Sequence, residues 1–323
     1  MRLIVGCGYL GTQVARLWRA AGEEIVGVVG READVPRLRA EGIRPLVVDV
    51  TRADAVGRLE DVCGVAETIL YAVGRRRGEE PSPQAVLVDG LQHVLDAIDV
   101  TGVGPVSLVL ISTGGVHHRT DGDWVDETAP PNPTRPAAIA HLKAEKLLTE
   151  WLANQHTQQR RPTRGTILRL AAVYGPHRVP SVESLAAGRP IARVADRYVN
   201  LIHVQDAARV VLTVADLAES LLVENGDRHL TATNLSLYLV SDGHPVRYGD
   251  YLAVAAYTRG LSVPAVFNEN APVRDIANKR IRNDRVRTLM DANFAYPTYR
   301  EGLEASIAAE AANEGGAAPK TSR

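Results

Sequence analysis

Short apolar runs alternate with amphipathic stretches through the first half of the chain. The runs do not mix apolar with polar residues, which is typical of parallel strands buried on both faces. The stretches between them repeat apolar residues at helical spacing. The runs lie at residues 3–5, 24–29, 45–50, 68–73, 106–112 and 165–173. This repetition predicts an α/β fold with a doubly wound parallel sheet and right-handed crossovers.

The rhythm changes after Gly175, where a further helical stretch and the strand-like segment LSLYLVSDG are more widely spaced. We therefore expect one domain over residues 1–175 and a mixed region over residues 176–310. In that region, strand and helix elements return and a smaller C-terminal lobe closes over the sheet. Residues 311–323 are small, polar and rich in glycine, so this tail is predicted to be disordered.

The sequence Gly6-Cys7-Gly8-Tyr9-Leu10-Gly11 follows the first run directly and opens a helical stretch. In this pattern the first glycine permits a tight turn, the second lets the backbone approach a pyrophosphate, and the third lets helix and strand pack closely. The helix N-terminus adds free N–H groups and the positive end of its dipole. The loop therefore predicts a Rossmann domain that binds a dinucleotide through these six residues. A tight turn without a ligand is the alternative, and Cys7 is expected to be a small filler rather than a reactive thiol.

The end of the second run carries Arg31, where NAD-specific folds have an acidic residue for the ribose 2′-hydroxyl. A guanidinium suits the 2′-phosphate of NADP(H), so we expect NADP(H) to be preferred, with NAD(H) as the alternative cofactor. A solvated arginine is the competing interpretation, and the adjacent Glu32 weakens the attraction for a phosphate. Further contacts are expected after the third and fourth runs, with Asp49 and Val50 at the adenine edge and Ala72, Val73 and Gly74 along the trough.

Several segments resemble the extended and atypical short-chain dehydrogenase/reductase (SDR) superfamily, in its NAD-dependent epimerase/dehydratase group. The likeness covers residues 1–305 and lies in GCGYLG, LVLISTGGVH, WVDETAPPNP, ILRLAAVYGPHR, VNLIHVQDAA, NKRIRNDRVR and YPTYREGL. The resemblance implies an NAD(P)-dependent oxidoreductase or epimerase-like enzyme, with a C-terminal lobe that holds a small sugar-like or carbonyl substrate. It also implies a Ser/Thr-Tyr-Lys triad, in which a lysine lowers the pKa of the tyrosine that moves the proton.

The triad is incomplete in this chain. Thr113 falls on the Ser/Thr position, but Ala137 falls on the tyrosine and His141 on the lysine. If Lys143 is kept as the lysine, the tyrosine position becomes Ile139, and no Tyr-x-x-x-Lys occurs anywhere in the sequence.

A histidine is the expected replacement for the missing acid, with His117 or His141 as candidates. An ordinary imidazole titrates near pH 6.5, so carbonyl reduction is expected to decline between about pH 6 and 8. Tyr174 resembles the residue that backs the nicotinamide, and we expect it not to be the acid. Lys279, Arg178 and Arg280 either contact an anionic substrate group or are solvated surface, and the sequence assigns them no role.

Three functions compete at this point. The first is an enzyme with altered acid/base residues, and the second is an NADP(H)-binding sensor or regulatory module without turnover. The third is a scaffold stabilised by the nucleotide, and the intact glycine loop counts against it. The retained Thr113 and the nearby histidines favour the enzyme.

The composition of the chain bears on its cellular location and its partners. The chain has 323 residues, a formal net charge of −1 and two cysteines. These values predict no nucleic-acid partner, no disulfide framework and a reducing, cytoplasmic location. We expect no signal peptide, no membrane span and no metal site, since the histidine spacing fits no metal motif. Two helical stretches match elements that form dimers in related proteins, which makes a homodimer one arrangement to test.

Overall fold

The computed structural model describes residues 1–74, 80–155, 163–189, 191, 195–225, 234–261 and 277–315. Its strands are β1 Arg2–Val5, β2 Ile25–Val29, β3 Arg44–Val47, β4 Thr68–Tyr71, β5 Ser107–Thr113, β6 Trp124–Val125, β7 Arg164–Leu170, β8 Ala172–Tyr174, β9 Tyr198–Val199, β10 Leu201–His203, β11 Leu235–Val240, β12 Val246–Arg247 and β13 Arg280–Ile281. Its α-helices are α1 Tyr9–Ala20, α2 Val35–Ala40, α3 Ala55–Val65, α4 Gly90–Thr101, α5 Pro136–Gln155, α6 Val182–Ala186, α7 Val204–Asn225, α8 Tyr248–Thr258, α9 Asp284–Leu289 and α10 Tyr299–Gly315.

The centre of the molecule is a seven-stranded sheet in the order β11-β7-β5-β4-β1-β2-β3. Every neighbouring pair in this sheet is parallel. The predicted α/β Rossmann fold with a doubly wound parallel sheet is therefore confirmed. The chain moves outward from β1 in both directions, so the loops after β1 and β4 diverge. That divergence opens the crevice in which such sheets bind ligands.

Helices cover both faces of the sheet. On one face, α3, α4 and α5 bury a cluster that includes Leu59, Leu95 and Leu148. On the other face, α1 and α7 pack against each other and bury Val14, Trp18 and Val211, among others. The apolar runs lack polar alternation because both sides of these strands are covered.

The C-terminal lobe has a separate apolar cluster. Tyr174, Tyr248, Tyr251 and Leu303 are fully or almost fully buried there, and α6, α8 and α10 supply much of its packing. Three short strand pairs lie outside the central sheet in the described part of the chain, namely β8 with β10, β9 with β12 and β6 with β13.

The mixed region expected after residue 175 contains helix α7, which covers the sheet, and β11, which forms the outer edge of the sheet beside β7. Helix α10 continues to Gly315, so residues 311–315 are helical rather than part of a disordered tail. The rest of that predicted tail, residues 316–323, lies outside the described residues. None of the described helices combines the length and apolar character needed to cross a membrane.

Candidate active site

The three glycines of the first loop have the geometry that the fingerprint requires. Gly6 has φ +90°, and a Cβ there would lie 2.5 Å from the Val73 nitrogen. A Cβ on Gly11 would lie 2.8 Å from the Gly6 carbonyl oxygen, so this glycine sets the close packing of α1 on β1. A Cβ on Gly8 would meet nothing within 4 Å, so the backbone is open where a pyrophosphate would approach. The loop therefore fits a dinucleotide.

The N-terminus of α1 faces the same space. Its first helical hydrogen bond runs from the Thr12 N–H to the Gly8 carbonyl at 2.9 Å. The N–H groups of Tyr9, Leu10 and Gly11 precede that bond and have no carbonyl within the helix to bind. No acidic side chain lies in the first turn, so phosphate oxygens would meet these N–H groups without opposing charge.

Two residues of the loop also serve the fold. Cys7 is completely buried, and burial raises the pKa of its thiol to about 11, so it is a packing residue. The Tyr9 hydroxyl donates to the Pro176 carbonyl at 3.0 Å, which links the glycine loop to the segment after β8. The Arg178 guanidinium lies 5.2 Å from the centre of the Tyr9 ring.

Arg31 lies two residues after the end of β2 and is exposed. Its side chain is 67% exposed and pairs with Asp34 at 3.2 Å. Arg37, which the sequence did not single out, lies across the glycine loop and donates to the Thr12 hydroxyl at 2.6 Å and the Cys7 carbonyl at 2.7 Å. The sequence did not indicate a role for Arg37, because the residue that contacts the cofactor ribose is expected directly after β2, whereas Arg37 lies on α2.

The other expected cofactor contacts line the ends of β3 and β4. Asp49 is exposed and accepts from the backbone N–H and hydroxyl of Thr51, while the Val50 carbonyl contacts His93. Ala72 donates to the Val5 carbonyl at 2.8 Å, which holds the chain after β4 beside the glycine loop. Ala72 and Val73 are thus adjacent to Gly6, and Gly74 follows them in the chain.

Thr113 ends β5 at the same edge of the sheet. Its hydroxyl accepts from the Gly115 N–H at 3.0 Å and so shapes a single 3₁₀ turn, Gly114–Val116. The hydroxyl remains able to donate, which suits orientation of a substrate oxygen.

His117 follows that turn, but it is 1% exposed. Arg169 Nη1 lies 2.9 Å from His117 Nε2, and since arginine can only donate, Nε2 is the acceptor and the ring proton is on Nδ1. Arg169 also forms a two-pronged pair with the buried Glu145, which in turn accepts from the Ser112 hydroxyl at 2.5 Å. His117 is therefore part of a buried polar network.

We expected these histidines to titrate near neutral pH, and their burial shows that this expectation is wrong. Burial, together with the charges of Arg169 and Lys279, lowers the pKa of His117 to about 4. Burial also lowers the pKa of His141 to about 4. Both rings are neutral at pH 7, so a pH dependence from either one is expected near pH 4 and not between 6 and 8.

Helix α5 carries the residues of both sequence registers. Lys143 is exposed, and its Nζ donates to Gln84 Oε1 at 3.2 Å, beside the π-helical turn Ala85–Asp89. His141 is half-buried, with Ala140 and Ala144 buried beside it. The two candidate tyrosine positions, Ala137 and Ile139, are both exposed, so burial does not choose between the registers.

Tyr174 belongs to the core of the C-terminal lobe. It is completely buried beside Gly302, its ring packs edge-on against His203 at 5.3 Å, and its hydroxyl has no hydrogen-bond partner among the described atoms. Burial strongly raises the pKa of this phenol. Its side chain thus supports the segment after β7 and does not line an open trough.

Two cavities lie near these residues. One of about 150 Å³ is lined by His117, Val125, Pro130 and Asn132, among others. A larger apolar groove of about 530 Å³ lies between α5 and the edge formed by β7 and β11. The larger one is on the flank of the sheet, so we place the chemistry at the carboxyl ends of the strands. No group of three potential metal ligands occurs among the residues that the structure describes.

Comparison with known proteins agrees with this architecture. A model of the NAD dependent epimerase/dehydratase family matches residues 3–225. A functionally unknown conserved protein from Silicibacter pomeroyi DSS has 26% identity and a TM-score of 0.71, with 95% of this chain and 98% of that chain covered. MoeE5 in complex with UDP-glucose and NAD has 19% identity and a TM-score of 0.75, with 97% and 99% covered.

UDP-glucose 4-epimerase from Thermotoga maritima, with UDP-glucose, has 16% identity and a TM-score of 0.76, with 97% of this chain and 99% of that chain covered. No protein with a curated description matches the sequence significantly. The family model spans more than half of the chain and the resemblance to SDR-type epimerases is confirmed, so the chain belongs to the NAD dependent epimerase/dehydratase family.

Proposed function

We propose that this protein is an NADP(H)-dependent oxidoreductase or epimerase-like enzyme that acts on a small sugar-like or carbonyl substrate. The observation that carries the proposal is the glycine loop, where Gly6 and Gly11 are required by close contacts and Gly8 leaves the backbone open. A loop that only turned the chain would not need an open glycine at the helix N-terminus.

Different residues of the chain bind the cofactor and orient the substrate. The N–H groups at the start of α1 hold the pyrophosphate, and Arg31, with Arg37 close by, binds the 2′-phosphate. Ala72, Val73 and Gly74 line the dinucleotide, and Thr113 orients the substrate oxygen. When bound, the nicotinamide supplies hydride exchange with a substrate carbon.

The substrate class is supported by the comparisons. MoeE5 and the Thermotoga maritima epimerase were solved with UDP-glucose, and both share the fold over nearly the whole chain. We therefore propose nucleotide sugars as the first substrates to test, followed by simple aldehydes and ketones.

A second candidate function is an NADP(H)-binding module without turnover. It is favoured by the absence of Tyr-x-x-x-Lys from the sequence and by two candidate histidines that are neutral at pH 7. In that case the C-terminal lobe would report whether the cofactor is bound.

One experiment separates the two functions. NADPH oxidation and NADP⁺ reduction are followed with a panel of nucleotide sugars, aldehydes and ketones, after calorimetric titration of the same protein with NADPH and NADH. Tight NADPH binding with turnover of a panel member supports the enzyme. Tight binding without turnover favours the binding module, and no binding of either cofactor contradicts both.

The setting of the protein is also proposed. Cys7 and Cys63 are free and buried, which agrees with a reducing, cytoplasmic location. A homodimer through α4 and α5 is proposed as well, and exposed apolar side chains such as Val100 and Ile139 lie on these helices. Sedimentation velocity of the wild type and of Ile139→Glu tests the dimer, since the charge should dissociate it.

A further inference from the structure

Lys279 is a buried lysine in a chain with only four lysines. It is 7% exposed, whereas Lys143 and Lys146 on α5 are exposed. Among the described residues, the charge that acts on its ammonium is that of a cation, Arg135, and not that of a carboxylate. A buried ammonium without a carboxylate is costly, so such groups are concentrated at sites of function.

The backbone around Lys279 is fixed on two sides. Its carbonyl accepts from Asn200 Nδ2 at 2.9 Å, and Asn200 Oδ1 accepts from the Ile281 N–H at 2.7 Å. The Arg280 N–H donates to the Asp123 carbonyl at 2.9 Å, and β13 pairs in parallel with β6. The side chain therefore starts from a preorganised position.

The alternation of side chains along β13 gives the direction of Lys279. Arg280 lies on one face, 4.9 Å from the centre of the Trp124 ring. Ile281 lies on the opposite face, where a Cβ on Gly114 would come within 3.0 Å of its Cδ1. Lys279 directly precedes β13, and the same backbone ladder continues there, since the N–H groups of Asn278 and Arg280 both donate to the segment 119–125. Lys279 therefore shares the face of Ile281, towards the turn that follows β5.

Electrostatic coupling places the ammonium in the same region. The charge of Lys279 acts on His117, which follows that turn, and the charge of Arg135 acts on Lys279. Arg135 directly precedes α5, two residues before Ala137, where the family has its tyrosine. Asp126 and Arg169 also act on His117, Arg282 acts on Asp126, and Arg119 lines the same cavity as His117.

We propose that Lys279 exchanges the proton with the substrate oxygen in place of the missing tyrosine. The inference rests on the proposed function. In reduction, a substrate carbonyl carbon takes a hydride from a reduced nicotinamide while one N–H bond of Lys279 breaks and one O–H bond forms on the oxygen. The neutral amine then regains its proton from water, and oxidation runs the same steps in reverse.

The protonation behaviour of Lys279 suits this task. Burial, and to a smaller extent the charge of Arg135, lowers the pKa of the ammonium to about 8. An acid/base group works best when its pKa is near the operating pH, because both of its forms are then accessible.

The first test needs no turnover. Lysine labelled with ¹³C at Cε is incorporated into the full chain, and the signals are assigned with Lys→Arg variants. Lys279 should titrate near pH 8, well below the ordinary lysine value of about 10.4. Titration of Lys279 at that ordinary value overturns the proposal.

The same titration with bound cofactor separates this proposal from the proposed function. NADP⁺ has a positively charged nicotinamide ring and NADPH has a neutral one. A positive charge about 10 Å away at an effective dielectric constant of ~20 lowers a lysine pKa by roughly one unit. Lys279 should titrate lower with NADP⁺ than with NADPH. Failure to bind either form contradicts the proposed function, whereas binding with equal titration of Lys279 overturns only the role of Lys279.

Kinetics on a substrate from the panel completes the test. Lys279→Met and Lys279→Arg should each lower kcat by about 10²-fold or more, the usual size of an acid/base contribution, with NADPH affinity kept. Lys146→Met, at an exposed position of α5, is the control and should leave kcat unchanged. Arginine keeps the charge but does not release a proton, so recovery of activity in Lys279→Arg shows charge binding alone and overturns the proton transfer. Thermal unfolding of each variant checks that β13 remains folded.

Discussion

At the scale of single residues, Arg169 and Glu145 form a buried ion pair that ties α5 to β7. Both side chains are 6% exposed, and Arg169 also donates to His117. The sheet and the helix exclude water from the pair, so each charge is stabilised mainly by its partner rather than by solvent.

Breaking this pair from one side should be strongly destabilising. Glu145→Gln leaves an arginine charge buried without its carboxylate, and we expect a loss of about 3–5 kcal/mol in the free energy of unfolding. The double variant Arg169→Met/Glu145→Leu should lose much less, because no charge remains buried. Urea unfolding of the single and double variants measures both values. A single variant within about 1 kcal/mol of the wild type would contradict the assignment.

Arg31 decides the cofactor preference in our proposal. Arg31→Ala should lower NADPH affinity at least tenfold, because a charge-assisted hydrogen bond contributes about 1.5–3 kcal/mol, and should leave NADH affinity nearly unchanged. Arg39→Ala, a change at another exposed arginine of the same region, is the matched control. Calorimetric titration with both cofactors gives the result, and an unchanged preference in Arg31→Ala would exclude the role.

Tyr174 is expected not to move the proton. Its hydroxyl is buried without a partner, so Tyr174→Phe should keep turnover within a few-fold and leave stability equal or higher. Steady-state kinetics and thermal unfolding check this together. A fall in kcat of ~10²-fold without loss of stability would assign Tyr174 to the reaction.

Asp242, which follows β11, should make stability depend on pH. It is 4% exposed, and burial raises its pKa to about 7, against the opposing effect of the His244 N–H, which donates to Oδ1 at 2.9 Å. An acid with a raised pKa in the folded state binds a proton more tightly there than in the unfolded chain. Its contribution to stability is therefore full below about pH 4 and is lost as pH rises towards 7.

Asp242→Asn removes this titration. Relative to the wild type, the variant should gain on the order of 2 kcal/mol in unfolding free energy between pH 5 and pH 8. Asp61→Asn, at an exposed position of α3, should show no such gain. Parallel curves for wild type and Asp242→Asn across this range would show that Asp242 is ionised normally.

At the scale of elements, the sequence predicts strands well where they keep one set of neighbours. The runs at residues 24–29 and 106–112 agree with β2 and β5 to within one or two residues. The run at 165–173 instead divides into β7 and β8. Ala171 donates to the Val240 carbonyl in the sheet, while Ala172 donates to the Asn200 carbonyl of the lobe. A change of hydrogen-bond partner between adjacent residues leaves no mark on hydrophobicity.

The candidate site could likewise be predicted only in part from the sequence. The glycine loop could be found because each glycine answers a local steric need that the spacing records. The protonation of His117 and His141 could not be found, since burial by distant segments sets their pKa values. Arg37 and Lys279 were missed as site residues for the same reason, because their positions depend on tertiary contacts.

At the scale of the whole molecule, the sheet brings loops from widely separated parts of the chain to one edge. The glycine loop, the segment after β4 and the turn after β5 all follow carboxyl ends of adjacent or near-adjacent strands. The lobe adds β13 to this edge through its pairing with β6. The central claim is that this edge binds a nicotinamide dinucleotide.

The most direct measurement of that claim is calorimetric titration of NADPH into wild type, Gly8→Ala and Gly57→Ala. Gly8 has φ −93°, and a Cβ there meets nothing, so Gly8→Ala should keep the melting temperature of the free protein within about 2 °C. The added methyl group occupies the space of the pyrophosphate, so affinity should fall at least tenfold, or about 1.4 kcal/mol. Gly57→Ala, on α3 and away from the trough, should bind like the wild type. Equal affinity of Gly8→Ala and wild type, or no binding by the wild type, would contradict the account.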